Sequence, residues 1–527
     1  MIPEDATPAT TSADYKAMSG FWELVSDILA GVERMRLRAS VYLPKFVEEN
    51  PDLYSLRCKN APLTNLYADI SRNLASKPFS KTVDISDDAP EVLAGKLNEQ
   101  TKLRTGGLVD DIDGQGNSLH VFASDAFKAG IDKGISWIFV DHTPARPNPG
   151  GRPLTKAEER EQGLRPYWVH VPCERLLAVY STFVGGVEVL THARIAEDAV
   201  VRDGYREVVK KRVRVIDRPV TAEAADGRPV ALGPAVWNLF EEQEDKTTAR
   251  KTWVSIGTGS YSIGVIPLVP FIPGKRHGTS FVVDPPLRDL AHMQLEEFQQ
   301  ESNLKEVKTL TAFPMLAAIG VQPTVTDPET GKTRDMKIPI GPSSVLFAPP
   351  DPTGNHGDWK FVEPSAESLK FLKEDLAAFR QEMRDLGMQP LLAANLTVVT
   401  TANLSQKASS AVQAWAILFK DTLDRCLALT SKWLGLSDTT TAKVHTDFAV
   451  DVNADGDLPE LLKARVAGEI SRPTYWSELQ RRGKLGPEFD PEAEGERLRT
   501  EPADLTGQPL PLGPGGTLPD NSGSAAA

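Results

Sequence analysis

The sequence predicts an α+β chain whose helices and strands are segregated along the chain, and three observations carry that reading. Residues 15–46, 63–74 and 118–133 repeat apolar side chains at helical spacing. Residues 167–255 hold short strand-like runs at 167–171, 176–180, 187–195, 207–216, 235–241 and 252–255, separated by Gly, Pro and Asp turns. Between 286 and 434, three long helical patterns enclose a small β-rich stretch. Blocks of helix followed by blocks of strand fit segregated layers better than an alternating parallel sheet.

Taken in order, 15–46 reads as one helix, and Leu63, Leu66, Tyr67, Ile70 and Leu74 share one face of the next, which Pro78 closes. The helix at 118–133 passes through Gly134 into the apolar run Ile135, Ser136, Trp137, Ile138, Phe139 and Val140, a buried strand. The stretch 144–165, rich in Pro, Gly and charge, is a surface loop. After the β-rich third, IPLVPFIPG at 266–274 is held extended by its prolines, and Pro285-Pro286 starts a polar helix lasting to 310 with Glu296, Glu297, Glu301 and Glu306. Lys332 and Thr333 fall in a hairpin tip within 327–335, with further short strands at 344–347 and 360–362.

The segment 364–435 has the strongest pattern. Leu369, Leu372, Leu376, Phe379, Met383 and Leu386 alternate spacings of three and four, a heptad packing seam on a helix of ~33 Å. Ser365 caps its start, Gly387 ends it in the left-handed conformation, and Pro390 prevents it from resuming. A second helix starts at Ser405, runs through Ala408, Val412, Trp415, Phe419, Cys426, Leu429 and Trp433, and stops at Gly435. Between them MQPLLAANLTVVTTANL, residues 388–404, has no charged residue. A large helical core with a buried connection is the plain reading of that arrangement. Beyond it come a strand at 443–450, a helix from 459, a capped helix at 470–483, and a Gly, Pro, Ser and Ala tail from Gly507 expected to be disordered.

Length and composition bound the function. The 527 residues suffice for several domains, and 40% hydrophobic with 25% charged residues is ordinary for a folded, soluble protein. With 59 basic against 72 acidic side chains the net charge is −13, which disfavours tight binding of phosphate backbones but not passage of nucleic acid along an acidic wall. Cys58, Cys173 and Cys426 are odd in number and far apart, as in a reducing compartment without disulfides or a zinc cluster. No secretory signal and no run of ~18 apolar residues is present, so neither export nor a membrane anchor is expected.

Catalytic motifs fail on inspection. Gly331-Lys332-Thr333 resembles the end of a phosphate-binding loop, but the required first glycine is Thr326. Asp111 to Gly116 and Asp451 to Asp457 each resemble half a calcium loop, yet the bidentate Glu is replaced by Phe122 and Leu462, so both read as polar turns. No histidine pair has metal-ligand spacing, and no nucleophile elbow occurs. No catalytic residue, metal or cofactor is expected, and the chain reads as a non-enzyme.

The succession of elements resembles the portal proteins of tailed bacteriophages, including portal-like members known only as domains of unknown function. "IPLVPF" before the first long helix, "AFPMLAAIG" after it and "GEISRPTYWSELQRRGKLG" near the end are similar to segments of such proteins. The resemblance spans about 15–499. It implies an α/β wing at 1–285, an outgoing stem helix at 286–310, a small α/β clip at 311–363 and a returning stem helix at 364–387. A tunnel loop at 388–404, a long wing helix and return at 405–458, a helical crown at 459–500 and a disordered tail at 501–527 follow. The tunnel-loop residues it assigns are Asn395, Thr397, Thr400, Thr401 and Asn403.

On that resemblance the protein is a homo-oligomeric ring of about twelve copies at one capsid vertex, closed by head-to-tail contacts. Double-stranded DNA passes through it without sequence specificity during packaging and ejection. Terminase, the major capsid protein and a head-tail adaptor are its implied partners. Its place is the virion, with assembly in the host cytoplasm. The alternatives are another virion structural protein, such as an adaptor or minor capsid component, and a carboxylate-dependent hydrolase with a β-rich middle domain.

Overall fold

The computed structural model describes residues 7–97, 104–143, 155–225, 227, 229–244, 251–312, 315–319, 324–326, 333–335, 358–362, 366–387, 398–436, 440–446, 458–481, 484–486 and 489–500. The fold is α+β. It divides into two compact units, Met1–Thr446 and Asp447–Ala527.

The first unit opens with α1 (Ala13–Leu29), started by Ser12, whose hydroxyl accepts a hydrogen bond from the Tyr15 amide. The single helix expected over 15–46 is broken, because Gly31 takes φ +86° and redirects the chain into α2 (Val32–Leu37) and α3 (Ala39–Tyr42). Then come α4 (Pro51–Asn60), α5 (Leu66–Ser76) capped by Asn65, the single turn α6 (Glu91–Ala94), and α7 (Leu119–Lys133), ended by left-handed Gly134. A short α8 (Lys156–Glu161) follows.

Two antiparallel sheets carry the β-rich third. Leu268–Phe271, Ser136–His142 and Pro166–Val171 lie side by side in that order, with Trp137 opposite Pro270 and Val171. The larger sheet orders Lys251–Ser260, Val236–Glu244, Arg212–Asp217, Val187–Ala196 and Leu176–Val184. The expected strand 207–216 is two pieces. Arg206–Lys210 pairs with Ala199–Asp203 in a separate hairpin, and only Arg212–Asp217 joins the sheet.

A core of Trp22 and Met18 from α1, Trp137 and Phe139 from the small sheet, and Val179, Ile195 and Ile216 from the large one joins these layers. The helix α7 lies directly on the small sheet. A Cβ added at Gly130 would sit 2.4 Å from Phe271 Cδ1, so only glycine permits that approach.

Three long helices complete the unit: α9 (Arg288–Ala312), α10 (Ala366–Leu386) and α11 (Val398–Leu434). Between α9 and α10, Met315–Ile319 pairs antiparallel with Asp358–Val362, and Thr324–Thr326 with Thr333–Asp335. The expected strand 344–347 lies outside the described residues. Gly387 is not left-handed; its amide continues the helical pattern to the Met383 carbonyl, and it is glycine because a Cβ would meet Ile70 Cγ2 at 2.6 Å.

The helix α11 starts at Val398 rather than Ser405, so Thr400, Thr401 and Asn403 lie in its first turns and not in a loop. β-Branched Val and Thr lower helix propensity by only tenths of a kcal/mol each, and a helix already nucleated in a core gains one hydrogen bond per added residue. Asn395 and Thr397 fall outside the described residues. Downstream, Val412, Ala416, Phe419, Leu423, Cys426 and Leu427 are buried, and the Trp168 indole donates to Thr430 Oγ1 at 2.9 Å.

The second unit holds α12 (Leu458–Val466), α13 (Arg472–Arg481) and α14 (Pro491–Thr500), close to the helices expected there. Trp476 packs edge-on against Phe489 with Arg472 over its ring.

Candidate functional site

The paired helices α9 and α10 form the candidate site. They run antiparallel, since Glu297 near the start of α9 bonds Arg380 late in α10, while Lys308 and Lys373 line one groove between the opposite ends. Of the expected seam, Leu376 and Met383 are buried, Leu369 and Phe379 half-buried, and Leu372 and Leu386 exposed.

The pair is locked by a polar network that apolar periodicity does not reveal. Arg380 Nε donates to Glu297 Oε1 at 2.8 Å, and its terminal nitrogen stands 2.8 Å from Glu301 Oε1. That nitrogen also donates to Thr64 Oγ1 at 2.9 Å, and the Thr64 hydroxyl donates to Glu301 at 3.2 Å. Gln294 extends the lattice: its amide nitrogen reaches Glu297 Oε2 and the Thr64 carbonyl, both at 3.0 Å, and its oxygen accepts from the Tyr67 amide at 2.9 Å. The loop before α5, the start of α5, α9 and α10 are thereby held as one block.

Arg380 is therefore turned to α9. Glu297 and Arg380 were visible only as members of polar stripes; the available signal was that Glu297 and Glu301 stand four apart on one helix face.

Glu297 is fully buried and shares one guanidinium with Glu301. Burial, with Glu301 adding, pushes its carboxyl up to about 7 against the opposing pull of Arg380. A carboxyl raised on folding stabilises fully below its ordinary value of 4.5, and that contribution is lost as pH rises through about 7. Stability should thus fall by up to about 3 kcal/mol across this window. Glu297→Gln should remove that slope, which urea unfolding at pH 5 and pH 8 would measure; an unchanged slope would show Glu297 ionised throughout.

A second polar cluster sits in a cleft of about 380 Å³ between the sheets. Arg214 Nε stands 2.7 Å from Glu197 Oε1, and its terminal nitrogen lies 3.2 Å from Asp141 Oδ2 and 3.3 Å from the Tyr261 hydroxyl. Burial raises Glu197 and lowers His170. These are the paired carboxylates a hydrolase would need, but both are ion-paired to the same guanidinium, which braces one sheet against the other. In the first half calcium loop, Asp111 accepts from the Gly116 amide and pairs with Arg165, while Asp113 accepts from Gln115 and Asn117. Lys332 and the second half loop lie outside the described residues. No group of three metal-ligating side chains occurs among the described residues. Among them, too, no helix is long and apolar enough to cross a membrane.

No curated protein matches the chain. Among solved structures, a chain from the "Neck of native GTA particle computed with C12 symmetry" is similar at 13% identity, covering 85% of this chain and 99% of that one with a TM-score of 0.38. The profile of a domain of unknown function, DUF4055, matches residues 286–434, the stretch from just before α9 to the end of α11.

Proposed function

We propose that this chain is the portal subunit of a tailed-phage-type particle, a structural component of the head-to-tail region. About twelve copies would close head to tail into a ring around a channel for double-stranded DNA. The order of elements carries the reading. Among the described residues, an outgoing helix, a β module in which Met315–Ile319 pairs with Asp358–Val362, a returning helix locked to the outgoing one, and a 37-residue helix that re-enters the core follow one another.

The physics of the chain supports it. A net charge of −13 disfavours tight retention of phosphates over the subunit as a whole, so DNA would slide rather than stick. On this reading α9 and α10 are the stem, 313–365 the clip, and 388–397 with the first turns of α11 the constriction. Terminase, the major capsid protein and a head-tail adaptor would be its partners, and the chain would catalyse nothing. Purified protein at micromolar concentration and moderate salt should give rings in negative-stain images and a single high-mass species in mass photometry. A stable monomer would overturn the reading.

A further inference from the structure

The two flanks of α10 differ in charge. One borders a groove of about 460 Å³ between α9 and α10, lined by Lys305, Lys308, Lys373, Arg380 and Arg384 with only Glu301 opposing them. Arg380 is used by Glu297 and Glu301, and Lys305 donates to the Asn60 carbonyl. Lys308, Lys373 and Arg384 have no partner among the described residues. At about 100° per residue, Phe371, Asp375, Ala378 and Glu382 fall on one stripe, roughly opposite the stripe of Lys373, Ala377, Arg380 and Arg384. Asp375 and Glu382 are exposed and likewise unpartnered among the described residues, and Phe371 is 67% exposed.

We infer that the acidic stripe of α10 docks into the basic α9/α10 groove of a second copy of this chain. The inference rests on the ring proposed above and names the surface that closes it. A rotationally closed ring requires two different, complementary patches facing opposite ways on each subunit, and one helix supplies both. Unpartnered cations on one flank and unpartnered carboxylates on the other satisfy each other between copies, while two like flanks repel. Phe371 gives the contact an apolar anchor that is solvent-exposed in the single chain.

The test uses two charge-reversed full-length chains: Lys308→Glu with Lys373→Glu and Arg384→Glu, which leaves the groove with more carboxylates than cations, and Asp375→Lys with Glu382→Lys. None of the five side chains bonds another of the described residues, so melting temperatures should match the wild type. Each variant alone now carries two like flanks and should assemble at least tenfold more weakly. Mixed one to one, they should form rings, because each acidic groove meets a basic stripe and each basic groove an acidic one. Should reversal disturb folding, Lys373→Gln with Arg384→Gln should still assemble more weakly and lose most of the salt sensitivity seen in the wild type.

Rings from either reversed variant at wild-type concentration would overturn the inference while leaving the ring itself standing. So would rings that persist but no longer retain a DNA fragment, since the groove would then face nucleic acid. A mixture no better than its parts also overturns it. A wild type that never forms rings removes the proposed function and the docking surface with it.

Discussion

Arg380→Ala should destabilise the first unit by about 3 kcal/mol at pH 8, since removing one partner of a buried ion pair leaves the other charged without compensation. Glu297 is fully buried and Glu301 lies four residues away on the same face, so the substitution strands two carboxylates and leaves the Thr64 hydroxyl without its guanidinium donor. The cost should shrink at pH 5, where the raised Glu297 carboxyl takes up a proton and only one charge remains. Adding Glu297→Gln should recover much of the loss at pH 8, which a double-mutant cycle by urea unfolding would quantify. An equal loss at both pH values would mean that Arg380 acts through the packing of its aliphatic stem alone.

This lock also marks how far the sequence could be read. Elements whose apolar faces are buried by the chain itself were legible: the spacing at 118–133, the face of Leu66, Tyr67, Ile70 and Leu74, and the run from Ile135 to Val140 all emerge near their expected limits. The β-rich third was legible as strands but not as two sheets, because periodicity of two says which residues share a face and nothing of which strand lies alongside. Arg380 and Glu297 are separated by 83 positions, and no local pattern announces that one polar stripe will turn toward another. The start of α11 was misplaced because β-branched residues and Asn argue locally for a loop, while attachment to a buried helix decides otherwise. Asn395 and Thr397 lie outside the described residues, and Thr400, Thr401 and Asn403 are placed in helix, not loop.

Phe419→Ala should carry the largest cost, about 3–5 kcal/mol, the range for deleting a buried aromatic ring whose surroundings relax only in part. Phe419 on α11 lies 4.8 Å from Phe271 on the small sheet, 5.2 Å from Phe127 on α7 and 6.3 Å from Phe79 beyond α5, centroid to centroid. One ring therefore joins four elements, and the cavity left by its loss cannot be closed by moving any one of them. Ile417→Ala and Leu418→Ala on the same helix serve as controls, since these side chains are 48% and 46% exposed and should cost under about 1 kcal/mol each. Urea unfolding of the three variants would separate the outcomes. A loss at Phe419 no larger than at Ile417 would mean that α11 is held by something other than this core.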